Sequence, residues 1–90
     1  MEYLTVQLVG ENNAVVRFVI STVTPMQKVM DIYCKRLGLH RYEATFQYNG
    51  HGIKMDDTPM SLEMKDMDFI YVYTRQLMGD VWFKEDADKF

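Results

Sequence analysis

Ninety residues, 48% hydrophobic and 26% charged, describe one globular domain with a small core. A single cysteine excludes an internal disulfide and a thiolate metal cluster, and no metal site is expected. No apolar run approaches the ~18 residues of a membrane span, and the first residues lack a secretory signal, so a reduced setting in the nucleus and/or cytoplasm is expected. The formal net charge of −3 is unevenly spread, with residues 1–40 at +1 and residues 41–78 and 79–90 each at −2. An acidic second half argues against nucleic acid, which needs a basic footprint, and suits a basic protein partner.

Residues 3–9 and 14–21 alternate apolar and polar, with Leu4, Val6 and Leu8 on one face and Val16, Phe18 and Ile20 on another. Side chains alternate across a strand, so each run predicts a half-buried strand. Gly10-Glu11-Asn12-Asn13 has turn chemistry and joins them as a hairpin. Thr24, Pro25 and Gln27 predict a capped helix start, with Thr24 as cap and Pro25 in the first helical position. Met26, Val29, Met30, Tyr33 and Leu37 share one helical face over 25–37, and Gly38 is placed for a left-handed stop.

Residues 44–48 predict a third strand, Asn49-Gly50 a tight turn, and Ile53-Lys54 a short fourth strand. Asp57-Thr58-Pro59 favours a turn and residues 60–64 one helical turn. Residues 69–74 predict the last strand, with Ile70 and Val72 inward and Phe69, Tyr71 and Tyr73 outward. Residues 75–90 show no sustained period, and the domain reads as 1–78 with a mobile tail at 79–90. The order ββαββ, short helical turn, β gives an α+β class, a β-grasp in which one helix covers one face of a mixed sheet.

Glu2-Tyr3, Val9-Gly10, Phe18, Tyr33-Cys34, Arg36, Gly38, Phe46, Gly50, Ile53, Thr58-Pro59, Leu62, Met64, Asp68, Ile70 and Val72-Tyr73 carry a resemblance. Over residues 2–79, without gaps, the chain resembles the small ubiquitin-like modifier SUMO. The resemblance implies a ubiquitin-like β-grasp with strand order 2-1-5-3-4 and the second strand at a sheet edge. It also implies two working devices. One is a C-terminal Gly-Gly, exposed by a protease and joined to a target lysine. The other is a groove between the edge strand and the helix that accepts a short peptide as an added strand.

The family's Gly-Gly falls on Met78-Gly79. Met78 puts a long side chain where the terminus must thread narrow enzyme tunnels, so Gly79 as a processing and conjugation terminus is the alternative, and a loop glycine is the plainer reading. The groove positions implied are Val16, Arg17, Phe18, Val19, Ile20 and Ser21 on the strand, with Lys28, Val29, Ile32, Tyr33 and Arg36 on the helix. Phe18, Ile20, Val29 and Tyr33 would form the floor, and Arg17, Lys28 and Arg36 would attract acidic flanks. Val19 and Ser21 stand where the family usually has lysines, and Ile32 where it has a small polar residue, so the groove is expected to be more apolar and less basic. The same apolar set would be needed for the core alone, and the cations could be a solvated face.

The opposite face of such a domain can bind the SUMO-conjugating enzyme, and the matching positions are Asn49, Gly50, Gly52, Glu63, Asp66 and Asp68. Ordinary turn carboxylates and glycines explain these residues equally well. In the tail, Val81-Trp82-Phe83 precedes Glu85, Asp86 and Asp88. This apolar triplet with acids behind it is a candidate to dock on this molecule or a neighbour, against the plainer reading of a sticky, disordered tail. Lys84 and Lys54 fit loose acceptor patterns for modification. Cys34 reads as a buried, inert thiol, His40 and His51 as loop residues, and the eight methionines mostly as gap-fillers, with Met55, Met60, Met64 and Met67 partly exposed.

The resemblance implies a non-enzymatic module in the ubiquitin-like conjugation pathway. It would bind SUMO-interaction-motif-type peptides by strand addition, or dock on the SUMO-conjugating enzyme, with no cofactor and no nucleic acid or membrane partner. It would be a monomer or weakly self-associating. The alternative is a true modifier processed after Gly79 and attached to lysines.

Overall fold

The computed structural model describes residues 2–74. Its elements are β1 (Tyr3–Val9), β2 (Val15–Ser21), α1 (Met26–Leu37), a 3-10 turn (Arg41–Glu43), β3 (Ala44–Tyr48), β4 (His51–Gly52) and β5 (Asp68–Thr74). They form one sheet in the order β2-β1-β5-β3-β4. β1 and β5 run parallel, and the other neighbours are antiparallel. This mixed sheet with one helix is the expected β-grasp.

The inner face of the sheet follows the alternation. Leu4, Val6, Leu8, Ala44, Phe46, Ile70 and Val72 are buried against Met26, Val29, Met30, Tyr33 and Cys34 of α1. Tyr33 meets the Phe46 ring edge-on at 5.7 Å. Gly10 closes the hairpin over Tyr33, and a Cβ there would lie 3.1 Å from the Tyr33 hydroxyl. Gly10 is therefore favoured by close approach rather than by a special backbone angle.

The helix starts differently from the capping pattern. Pro25 occupies the cap position and no side chain caps the helix. The N–H groups of Met26 and Gln27 donate instead to the carbonyls of Asp57 (2.7 Å) and Met55 (3.1 Å). A loop distant in sequence satisfies the orphan donors of the first turn, leaving Thr24 no role there. Gly38 ends the helix at φ 70° as expected, and Leu39 N–H returns to the Cys34 carbonyl at 2.8 Å. That reversal sets half-buried Leu39 on the core, while Leu37, expected inward, is 49% exposed.

Two other expectations shift. The fourth strand is His51–Gly52 rather than Ile53-Lys54, because the Asn49-Gly50 turn, with φ of 53° and 80°, pairs Tyr48 directly with His51. Ile53 then donates to the Phe46 carbonyl and turns its side chain into the core. Residues 60–64 form successive turns closed by Leu62 N–H to Thr58 O and Met64 N–H to Pro59 O, without a regular helix. Met64 is buried, contrary to the exposed set, whereas Met55, Met60 and Met67 are exposed.

Candidate functional site

β2 forms an edge of the sheet. Among the described residues it pairs with β1 alone, from Tyr3↔Ser21 to Val9↔Val15. Its outer rim of N–H and C=O groups is thus a template for another strand. Val16, Phe18 and Ile20 are half-buried and point under the helix.

The helix flank that borders this rim follows from the other flank. Arg41 bonds the Met30 sulfur at 3.0 Å and lies 4.0 Å from Asp31, which turns the Met30–Asp31 side toward the 3-10 turn and β3. Ile32 and Arg36 therefore lie on the β2 side, with Lys28 one turn earlier in the same i, i+4 row. All three are exposed, Ile32 at 52%. Arg41–Asp31 is the one ion pair among the described residues, so Lys28 and Arg36 have no carboxylate partner there. The result is a rim with half-buried Val16, Phe18 and Ile20 beneath it and Lys28, Ile32 and Arg36 along its helical wall.

Four expected groove residues occupy other places. Val29 and Tyr33 are each only 2% exposed, so they support the floor from within the core and offer a ligand no surface. Arg17 and Val19 project from the other side of the pleat, where Val19 is 72% exposed. The Arg17 Nε donates to Gln7 Oε1 at 2.9 Å, while the Gln7 amide donates to the Met67 carbonyl. Strand alternation separates Arg17 from Phe18, a distinction that sequence matching alone does not make.

At the opposite end of the sheet, the β3–β4 turn and residues 63–68 come together around Tyr48. Its hydroxyl donates to Asp68 Oδ2 at 2.7 Å, and the same oxygen accepts the Lys65 N–H at 2.8 Å. Asp66 Oδ1 accepts the Thr5 N–H at 2.7 Å. The two carboxylates expected to meet a basic partner are thus also structural acceptors that fasten this segment to β1 and β3. The hydrogen bond to Asp68, then burial, then the Asp68 charge push the Tyr48 hydroxyl up to about 12. Asn49, Gly50, Gly52 and Glu63 are exposed around it. Glu63 and Met67 hold left-handed φ values of 55° and 67°, a strained conformation for residues with side chains. Tyr48 as the organiser of this corner was not anticipated; an apolar-polar pattern does not show where a tyrosine hydroxyl goes.

Cys34 is buried, and burial pushes its thiol up, the direction of an unreactive group. His40 stacks on Tyr42 and His51 lies in β4. Among the described residues no cluster of His, Cys, Asp and Glu could hold a metal ion, and no helix is long and apolar enough to cross a membrane. Met78, Gly79, Lys84 and the tail lie outside the described residues.

The comparisons with known proteins agree with this fold. Residues 4–74 match the family model described as "Ubiquitin-2 like Rad60 SUMO-like". Small ubiquitin-related modifier 2 of Homo sapiens and small ubiquitin-related modifier 2-A of Xenopus laevis are each 37% identical over 78 residues, spanning 87% of this chain and 82% of theirs. A solved structure of Caldiarchaeum subterraneum ubiquitin superposes with a TM-score of 0.77 over 86% of this chain and 99% of its own, at 19% identity, a likeness of fold. A match across most of the chain, on a sheet with the strand order of a ubiquitin-like β-grasp, places this protein in the SUMO-like family.

Proposed function

We propose that the chain is a protein-interaction module of the SUMO pathway, working in the nucleus and/or cytoplasm. It accepts an extended apolar peptide of the SUMO-interaction-motif type as an added strand on β2. The observation that carries the reading is the open edge of β2 beside the Lys28–Ile32–Arg36 wall of α1. Main-chain hydrogen bonds would supply affinity, and Val16, Phe18 and Ile20 the apolar seat. Ile32, between two cations, widens the apolar strip. Arg17 lies on the other face, so acidic or phosphorylated peptide flanks meet only Lys28 and Arg36. Peptide titrations at low and high salt test this: a shallow salt dependence is expected, and a steep one counts against the apolar groove.

Docking on the SUMO-conjugating enzyme through Asn49, Gly50, Gly52, Glu63, Asp66 and Asp68 is a second use of the same module. The exposed turn around strained Glu63 favours it. The internal bonds of Asp66 and Asp68 leave less of their charge for a partner.

The competing reading is a modifier processed after Gly79 and joined to lysines, favoured by the likeness to small ubiquitin-related modifier 2. Met78 in the place of the first glycine weighs against it. Incubation with the family's activating enzyme and ATP separates the two. A module forms no thioester, whether it ends at Gly79 or Phe90, whereas a modifier forms one when ending at Gly79.

A further inference from the structure

The sheet face away from α1 carries a row of aromatic side chains that the peptide groove does not use. Phe69, Tyr71 and Tyr73 project from β5, the middle strand, at 46%, 49% and 49% exposure. The Phe69 and Tyr71 rings stack at 6.5 Å. The strand register extends this row sideways: Gln7 and then Arg17 stand level with Phe69, Val9 and then Val15 with Tyr71, and Thr45 with Tyr73. Phe69, Tyr71, Tyr73, Val9 and Val15 thus form a continuous apolar strip, open among the described residues, with Arg17 at one corner. Nε of Arg17 is held by Gln7, leaving its terminal guanidinium N–H groups for a carboxylate. Contiguous exposed aromatics of this kind commonly mark a surface that something covers.

We propose that the chain's own tail covers it, with Val81-Trp82-Phe83 lying across Phe69, Tyr71 and Tyr73 and with Glu85 and Asp86 turned toward Arg17. β5 ends beside the strip, where Thr74 is fastened to Glu11 through both its N–H and its hydroxyl. From Thr74 the eight Cα steps to Trp82 span at most about 28 Å. The return to Tyr71 is three residues of strand, about 10 Å, which leaves ample chain for a reversal at Gly79-Asp80. With Trp82 on Tyr71, Glu85 and Asp86 follow at roughly 10–13 Å in extended chain. Arg17 lies about 12 Å from Tyr71, two residues along the sheet and two strands across. The tail's excess of acidic residues, net −2 over 79–90, complements that corner.

Trp82 is the chain's sole tryptophan, so its emission reports directly on the contact. In the full chain the emission is expected to be blue-shifted from that of a water-exposed indole and shielded from acrylamide, equally at high and low protein concentration. The double variant Phe69→Ser/Tyr71→Ser, changed only at exposed positions, should return it to the exposed spectrum with an unaltered circular dichroism spectrum. A second variant, Trp82→Ser, should shift the amide resonances of Phe69, Tyr71 and Tyr73, and to a lesser degree Val15 and Arg17, while leaving those of α1 in place. A water-exposed Trp82 in the full chain overturns the proposal. So does a blue shift lost on dilution, which would signal a second copy as the occupant, or shifts confined to residues 15–21 and 28–36, which would put the tail in the peptide groove. None of these readouts depends on a bound peptide, so failure here leaves the groove reading intact.

Discussion

Replacing Asp68 with alanine removes the acceptor that joins three segments. One oxygen takes the Tyr48 hydroxyl and the Lys65 N–H, and both bonds are charge-assisted. Bonds to charged groups contribute about 1.5–3 kcal/mol each when well buried. This corner is half-open to water, so the lower part of that range applies to Tyr48, and the exposed Lys65 N–H regains water at little cost. A loss of about 2 kcal/mol for Asp68→Ala follows, against about 1.5 kcal/mol for Tyr48→Phe, which keeps the ring and loses one bond. The double variant should lose less than the sum, with a coupling of about 1 kcal/mol. Urea unfolding followed by circular dichroism measures all three. The same pair sets an alkaline signature. The hydroxyl is raised above the ordinary tyrosine value of 10.0 to about 12, so the contribution is intact below pH 10 and disappears as pH rises through about 12. Phenolate absorbance should show one tyrosine titrating late, and Asp68→Ala should restore it. A single-variant loss under about 0.5 kcal/mol, additive with Tyr48→Phe, would show that Asp68 is an ordinary surface carboxylate.

Three further outcomes are expected. Gly10→Ala forces the Tyr33 hydroxyl away from a Cβ at 3.1 Å, so thermal unfolding should reveal a loss of about 1 kcal/mol, with the Tyr33 ring resonances displaced. Glu63→Gly relieves a left-handed φ of 55° at an exposed site, and the relief outweighs the added chain entropy; denaturant midpoints should rise by the equivalent of about 0.5 kcal/mol. Ile32→Lys should weaken an apolar-core peptide on the β2 edge by several-fold and steepen the salt dependence for peptides with acidic flanks, as read by calorimetry.

The longer strands were legible because alternation is local: Leu4, Val6 and Leu8, and later Phe69, Tyr71 and Tyr73, take the sides that their spacing assigns; the two-residue fourth strand, set by the turn before it, was not. The helix stop at Gly38 was equally local. Its start was not. The donors of Met26 and Gln27 are satisfied by carbonyls of Asp57 and Met55, about thirty residues away, and a nearby Thr24 that could serve as cap is bypassed. Leu37 fits the inward helical period, yet the reversal after it seats Leu39 instead. The family likeness implied a groove at the β2 edge and drew residues from both faces of that strand into it. The pleat then divides Phe18 and Ile20 from Arg17 and Val19, and full burial removes Val29 and Tyr33 from the contact surface. At the opposite corner, the acidic positions were visible, whereas their bonds to Tyr48, Lys65 and Thr5 depend on side-chain direction across segments twenty or more residues apart or on local loop closure.

The most direct measurement is an amide shift map of the full chain titrated with an extended peptide that has an apolar core and uncharged flanks. Strand addition on β2 predicts saturable shifts at Val16–Ser21 and along Lys28–Arg36, with new protection from hydrogen exchange at outward-facing β2 amides. Shifts confined to residues 49–52 and 63–68, or no saturable change anywhere on β2, would contradict it.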